Sequence, residues 1–283
     1  MIELKQLDDP NQIHPLKEAY LRSLVFPLDT YWKSAVIGQA PHWQFEVDGQ
    51  QAGYFAARAD KRLLQFFVTD PFLPMASELF AFILSGDLVQ SASAGTYEPA
   101  YLAHCLDHQR QVEVRSYLFQ DHKRVAPLLD GFPSSQFRLA MAGDAEKLAT
   151  FYGQNDEFAD TEAITIGFGS WLNYAKTLIE QGQVFILVNE NELIGIGECR
   201  ISISQAPYAD LGMITGKKYR RQGVGAYILA KLKEHCERRG AKPICSCAAE
   251  NLPSRKTIQK AGFFTQHRLL DIQFSSSDDS TKA

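Results

Sequence analysis

The stretch Met213-Ile-Thr-Gly-Lys-Lys-Tyr-Arg-Arg-Gln-Gly-Val-Gly-Ala-Tyr-Ile-Leu-Ala-Lys-Leu232 decides how this chain is read. An apolar run, Leu211 to Thr215, reads as a strand; a cationic loop follows, and Gly223-Val224-Gly225 then opens a helix. Gly225, Ile228, Leu229, Leu232 and Cys236 fall on one helical face, with Lys231, Lys233 and Glu234 away from it. Arg238 and Arg239 crowd the last turn, and Gly240 supplies a left-handed cap. A strand, a glycine turn and a helix N-terminus together make an anion site. Unpaired backbone N–H groups point outward there, and the helix dipole favours negative charge. Arg220 and Arg221 stand at the mouth, where guanidinium groups add charge-assisted bonds to phosphate oxygens.

Two familiar phosphate loops are excluded. A Walker loop ends in Gly-Lys-Ser/Thr, and here Ala226 and Tyr227 follow Gly225. A dinucleotide fingerprint requires a third glycine at position 228, which is Ile. What remains is Arg220-x-x-Gly223-x-Gly225 after a strand, with tight packing as the alternative reason for the glycines. Downstream come a short strand, Pro243 to Ala249, then Asn251-x-x-Ser254 and Lys260-Ala-Gly-Phe263. In order and spacing these segments resemble the GNAT superfamily of N-acetyltransferases, whose coenzyme A loop reads Arg/Gln-x-x-Gly-x-Gly/Ala. The resemblance implies acetyl-coenzyme A as co-substrate and no metal. It implies that the strand backbone at Met213, Ile214 and Thr215 holds the pantetheine. The diphosphate falls to Arg220, Arg221, Gln222, Gly223, Val224, Gly225 and Ala226. Asn251 binds the pantetheine arm beside a split between two strands, and Ser254 completes the set.

A chain of 283 residues suggests about two domains, each large enough for its own core. With 29 Lys and Arg against 33 Asp and Glu, the net charge of −4 gives no reason to expect nucleic acid. The opening residues, Met1 to Pro10, carry early acids and no apolar core of a secretory signal, and the longest apolar runs are too short to span a bilayer. Five cysteines, an odd number, point to reduced thiols and a cytoplasmic setting. Cys245 and Cys247 alternate on one strand with no second pair nearby, so they read as core thiols rather than zinc ligands.

The first half runs in the same order as the second. A strand at Met1–Leu4 and a helix at Gln12–Ser23 precede a hairpin turning at Asp48-Gly49. A strand from Arg62, a helix with Leu79, Phe80, Phe82 and Ile83 on its core side, a strand at 88–92, a helix at 100–106 and a strand at 112–119 follow. In the second half a strand at 137–140 leads to a helix capped by Asp144, and Ser170 caps the next. A hairpin then spans Val184–Ile203. Aligning Val68-Thr-Asp-Pro71 with Ile214-Thr-Gly-Lys217 puts Phe72, Leu73, Pro74, Met75 and Ala76 where the glycine loop would be. The fold class expected is therefore α/β (α+β): tandem GNAT-like domains, each a mixed, mostly antiparallel twisted sheet flanked by helices. The expected division is 1–130 without a pyrophosphate loop, a linker at 131–136, a cofactor-binding domain at 137–274, and a polar tail at 275–283. An unrelated α/β domain in the first half stays as the alternative.

Acyl transfer from a thioester to an amine needs alignment, oxyanion stabilisation and proton transfers. Two acids are candidates to deprotonate the amine: Asp210, upstream on the strand that feeds the loop, and Glu198 on the hairpin strand. Many family members carry a tyrosine seven residues after the asparagine to protonate the leaving thiolate, and here that position is Ile258. Ser254, Thr257 or Tyr219 would have to serve instead, or solvent. The acidic run Asn155-Asp-Glu-Phe-Ala-Asp-Thr-Glu162 lies where the family builds its acceptor wall, and four acids there attract a cationic amine. The expected acceptor is a small-molecule or peptide amine, with no nucleic acid and no membrane as partners. Ile258 keeps a second reading open: a non-catalytic module that binds coenzyme A.

Overall fold

The structure is a computed structural model that describes residues 1–155 and 167–275. The chain forms two compact units, one of Met1–Tyr117 together with the segment from His267 onward, the other of Leu118–Gln266. The tail beyond 275 and the acids of the 156–162 stretch lie outside the described residues.

The first unit contains β1 (Ile2–Leu7), α1 (His14–Ser23), β2 (His42–Val47), β3 (Gln50–Ala57), β4 (Arg62–Val68), α2 (Ala76–Ser85), β5 (Ser91–Gly95), α3 (Pro99–Asp107) and most of β6 (Gln109–Asp121). Strands β1 to β4 pair antiparallel in chain order, and β4 pairs parallel with β5. The β2–β3 hairpin turns at Asp48 and Gly49, both with positive φ, as the Asp-Gly pair requires. Where a glycine loop would follow β4, Asp70–Met75 forms a 3-10 turn containing two prolines. Its ring-locked φ angles and missing N–H groups give it no outward-facing row of donors. On α2, Leu79, Phe80 and Ile83 are buried, whereas Phe82, expected in the core, is 38% exposed. Position 82 sits about a third of a turn from the middle of the buried face, which the apolar run in the sequence does not reveal.

The second unit contains β7 (Gln136–Leu139), α4 (Ala145–Gln154), α5 (Trp171–Glu180), β8 (Val184–Asn189), β9 (Glu192–Ile201), β10 (Tyr208–Thr215), α6 (Val224–Arg238), β11 (Lys242–Ala248), α7 (Leu252–Lys260) and the start of β12 (Phe263–Phe274). Its strands run β7-β8-β9-β10-β11, antiparallel except for β10 with β11. Both units are thus mixed, mostly antiparallel sheets flanked by helices. From His267 the last strand belongs to the first unit. There it pairs antiparallel with β5 from Leu269↔Gly95 to Gln273↔Ser91, and Asp271 takes a 2.7 Å ion pair from Arg62 and a 2.6 Å bond from Ser93.

Helix α6 lies on one face of the second sheet and helices α4 and α5 on the other. Leu148, Phe151, Tyr152, Ala175 and Leu178 pack on that second face with Ile186 and Ile196. Two expectations need correction here. Asp144 does not cap α4 with its side chain: its carboxylate accepts from the Met141 N–H at 2.8 Å and pairs with Arg138 at 2.7 Å. Lys233, read as facing outward on α6, is 8% exposed. Its ammonium donates to the carbonyls of Lys123 at 2.7 Å and Ala261 at 3.0 Å and pairs with Asp121 at 2.5 Å, so the long stem crosses apolar packing to reach acceptors. All five cysteines are buried free thiols.

The first unit buries two titratable groups whose linkage to pH runs in opposite directions. Burial pushes the Glu98 carboxyl up from 4.5 to about 7, against the pull of the Tyr20 hydroxyl and the Gly95 N–H, which donate to it. Burial, helped by Lys17, pulls His42 down from 6.5 to about 4. The His42 Nδ1–H donates to the Ala40 carbonyl at 2.7 Å, and Nε2 has no partner among the described residues. Between about 4.5 and 7 the folded unit holds a proton on Glu98 that the unfolded chain lacks, so this group's stabilisation declines as pH rises. Between about 4 and 6.5 the unfolded chain holds a proton on His42 that the folded unit lacks, so this term grows with pH. In urea denaturation the two slopes should largely cancel from 4.5 to 6.5. Glu98→Gln should uncover a rise with pH of up to about 1.4 kcal/mol per unit, and His42→Gln a fall of similar size. Slopes unchanged from wild type in both variants would refute this.

Candidate functional site

Strand β10 pairs with β11 only at Tyr208↔Lys242, Ala209↔Pro243 and Asp210↔Ile244. Beyond Asp210 the two strands part, although β10 continues to Thr215 and β11 to Ala248. On its other side β10 stays paired with β9 to the end, from Ala209↔Ile201 to Thr215↔Gly195. Among the described residues of the second unit, the parting leaves one edge of β10, including Met213, Ile214 and Thr215, without a strand partner. Unpaired peptide groups along such an edge are donors and acceptors for an extended ligand.

The loop after β10 runs over Gly216 to Gln222. Asn155, at the C-terminal end of α4, accepts from the Lys217 N–H at 3.0 Å and donates to the Phe151 carbonyl at 2.8 Å. This residue, expected in an acceptor wall, is 8% exposed and braces the loop instead. Glu192 pairs with Lys218 and accepts from the Tyr219 hydroxyl. Arg220 donates to the Thr215 carbonyl, and Gln222 to the Lys218 carbonyl at 2.9 Å.

Gly223 is the N-cap of α6, with φ +86°, and as glycine it has no side chain to cap the helix. A Cβ placed there would meet no atom of the described residues within 4 Å. Glycine is required at this position by the backbone angle. Gly225 is different. A Cβ there would lie 3.0 Å from Thr257 Cγ2 and 3.1 Å from both Met213 Sδ and Thr215 Oγ1. This second glycine lets α6 sit down on β10 and α7, so both reasons offered for the motif, anion access and tight packing, are present at different residues. Gly195 and Gly197 on β9 extend the same contact. Their hypothetical Cβ atoms would fall 2.6 Å and 2.7 Å from Ile228. The alternation Gly195-Ile196-Gly197 is the sequence signal for this contact.

Asn251 is the N-cap of α7, and its Oδ1 accepts from the Ser254 N–H at 3.0 Å. Ile258 is 2% exposed and belongs to the core. Thr257 Oγ1 donates back to the Pro253 carbonyl at 2.8 Å. Of the three hydroxyls considered as proton donors, those of Thr257 and Tyr219 are therefore already engaged within the second unit.

Asp210 and Glu198 come together on the face opposite α6, and both are 7% exposed. They meet through Arg200, which no sequence argument singled out. Its Nη1 lies 3.5 Å from Asp210 Oδ2, and its Nη2 pairs with Glu198 Oε2. Tyr152 donates to Glu198 Oε1 at 2.5 Å, and Tyr174 reaches Glu198 Oε2 at 3.2 Å while accepting from Arg200 at 2.9 Å. Burial works against the Arg200 charge, but Tyr174, Asp210 and Tyr152 raise its pKa. Burial pushes the Tyr152 hydroxyl well above its usual range. Trp171 stacks on Tyr152 at 5.2 Å, and Phe168 stands edge-on to Tyr174 at 5.0 Å. Strand register was the missing signal: Arg200 faces Asp210 across β9–β10, and Glu198 lies two residues along the same strand face.

An opened strand edge and a glycine-capped helix N-terminus in one unit are what the sequence resemblance to the GNAT acetyltransferases implies. Residues 9–122 match the family described as "Acetyltransferase (GNAT) domain", and residues 148–263 match "Acetyltransferase (GNAT) family". The chain belongs to the GNAT superfamily and carries two of its domains in tandem.

Among solved structures it is similar to an acetyltransferase from the GNAT family from Colwellia psychrerythraea, at 29% identity and a TM-score of 0.87, over 96% of this chain and 100% of that one. In fold it also resembles a tandem GNAT protein from the clavulanic acid biosynthesis pathway, at 13% identity, TM-score 0.62, and 98% and 100% coverage. A GCN5-related N-acetyltransferase from Sphaerobacter thermophilus is similar at 15% identity, TM-score 0.62, and 96% and 95% coverage. No curated protein matches the sequence. Among the described residues no helix is long and apolar enough to cross a membrane, and no group of three or more His, Cys, Asp or Glu is placed to hold a metal.

The two glycines of the loop predict separable defects. Gly223→Ala forces an L-residue to φ +86° with no clash, which should cost about 1–2 kcal/mol of stability and weaken coenzyme A binding about tenfold or more. Gly225→Val should destabilise the unit by about 1–3 kcal/mol of overpacking and lower its melting temperature accordingly. Calorimetric titration and thermal unfolding check the pair; equal affinities for wild type and Gly223→Ala would remove the loop from the site.

Proposed function

We propose that the protein is an acetyl-coenzyme A-dependent N-acetyltransferase acting on a primary amine of a small molecule or peptide, with the cofactor site in the second domain. The observation that carries this is the parting of β10 and β11 beyond Asp210, in the same unit as the uncapped helix at Gly223. The site fits the co-substrate on the chain's own features. Val224, Gly225 and Ala226 start a helix whose N-cap has no side-chain acceptor, a Cβ at Gly223 would meet no described atom within 4 Å, and Arg220 and Arg221 add positive charge. Met213 to Thr215 offer an unpaired edge for pantetheine, and Asn251 and Ser254 stand at the N-terminus of α7. The first domain carries the proline-rich turn Asp70–Met75 at the corresponding point and supplies no second diphosphate loop.

Bound there, acetyl-coenzyme A supplies an activated acyl carbonyl. The protein's work is then to orient an amine in the cleft, take its proton and exclude water. Asp210 and Glu198 are the proton acceptors, gathered on the face lined by Tyr152, Tyr174 and Trp171. Ser254, at the start of α7, supplies the hydroxyl nearest in sequence to the asparagine, and the leaving thiolate otherwise takes its proton from solvent.

Ile258 favours a second reading, a coenzyme A-binding module without turnover, because an alkyl side chain that is 2% exposed donates no proton. Both readings predict a higher melting temperature with acetyl-coenzyme A, through linkage. Only the first predicts release of free thiol when a panel of primary amines is added. Under it, Asp210→Asn combined with Glu198→Gln should lower the rate about 10²-fold or more, with thermal stabilisation by the cofactor retained. Cofactor binding with no thiol release from any amine would establish the second.

A further inference from the structure

Glu198 and Asp210 are an unusual pair to bury together. They come from adjacent strands, point to the same sheet face and are both 7% exposed. Two carboxylates in such a place repel each other, and desolvation adds to the penalty on the charged forms. Left alone, one of them takes up a proton near neutral pH and is lost as a base. Here a single guanidinium spans the pair, with Nη1 toward Asp210 at 3.5 Å and Nη2 on Glu198. A planar fork with donors on separate nitrogens can serve two carboxylates at once, which a lysine ammonium on one flexible stem does poorly.

The rest of the surroundings favours the same outcome. From α4, Tyr152 donates to Glu198 Oε1 at 2.5 Å, and from α5, Tyr174 donates to Glu198 Oε2 at 3.2 Å. Among the described residues, the titratable groups that sense Asp210 include the thiols of Cys199 on β9 and Cys245 on β11; burial holds Cys245 well on the neutral side. Among the residues identified around the pair, Arg200 brings positive charge, and with both carboxylates ionised the two of them and the one guanidinium sum to −1.

We propose that Arg200 is the positioning residue of this site: it holds Glu198 and Asp210 ionised side by side, so that the pair accepts the proton of an ammonium acceptor at neutral pH. One proton passes from the nitrogen of the substrate ammonium to a carboxylate oxygen. This leaves a neutral amine with its lone pair free and a carboxylic acid that returns the proton to water. Arg200 does not exchange a proton and touches neither substrate nor cofactor. The kinetic part rests on the acetyltransferase reading above; the electrostatic part does not.

The test reads the two parts separately. In full-length protein labelled with 13C at the Asp and Glu side-chain carboxyls, and assigned with Asp210→Asn and Glu198→Gln, both signals should stay in the ionised range from pH 5 to 8. In Arg200→Met one of them should titrate about one to three pH units higher than in wild type. Arg200→Lys, which keeps charge but loses the fork, should fall between, and serves if the methionine variant does not fold. Carboxyl signals in either folded variant that titrate as in wild type overturn the proposal, whatever the enzyme does. In the thiol-release assay the acid limb of kcat/KM against pH should move up with the carboxyl titration, activity returning at alkaline pH. A limb that stays put while the signals move, or a uniform loss at every pH, reduces Arg200 to a structural role and overturns it. If wild type releases no thiol, the acetyltransferase reading fails while the titration still decides whether Arg200 holds the pair ionised.

Discussion

The second unit depends on how closely helix α6 approaches the sheet beneath it. Three glycines permit this approach: Gly195 and Gly197 on β9, where Ile228 fills the space of the missing side chains, and Gly225 in the helix itself, pressed to Met213, Thr215 and Thr257. Any side chain at these points would lift the helix by a good fraction of an ångström or tilt it. The N-terminus of α6 would then no longer end at the strand edge opened by the parting of β10 and β11. Close packing and the backbone turn at the helix start are therefore set at neighbouring residues, with Gly225 letting the helix down onto the sheet and Gly223 taking the left-handed angle that begins it.

The opposite face of the same sheet carries the polar chemistry. There the aromatic residues of α4 and α5 shield Glu198, Arg200 and Asp210, and their hydroxyls supply bonds that buried charges need. A buried ion cluster of this kind adds little net stability, because desolvation offsets much of the Coulomb attraction. Its place beside the parted edge of β10 makes sense as a means of keeping carboxylates charged in a dry place. The two faces of β10 thus do different work: Met213 and Thr215 point toward α6, while Asp210 and Ile214 point toward the other side.

The first unit differs from the second at the corresponding turn and helix start. Its β4 leads into Asp70–Met75, where two prolines replace the run of donors, and α2 begins without a glycine cap. Its buried polar groups, Glu98 with Tyr20 and His42 with Ala40, are tied to internal partners. The unit also takes in the last strand of the chain, held by the ladder with β5 and by Asp271 between Arg62 and Ser93.

The sequence by itself determined the order of elements, the turns at Asp48-Gly49 and Gly240, the cap at Ser170 and the glycine start of helix α6 at Gly223. These are local: backbone angle, cap chemistry and hydrophobic period act within a few residues, so they can be read along the chain. Tertiary structure alone decided that Asp144 turns to Arg138, that Lys233 buries its stem, that Phe82 faces out and that Asn155 braces the loop. It alone brought Arg200 between Glu198 and Asp210, and it assigned the end of β12 to the first unit. Each of these depends on which strand lies beside which, and in what register. Such choices are set by long-range packing, which the spacing of residues along one segment does not encode.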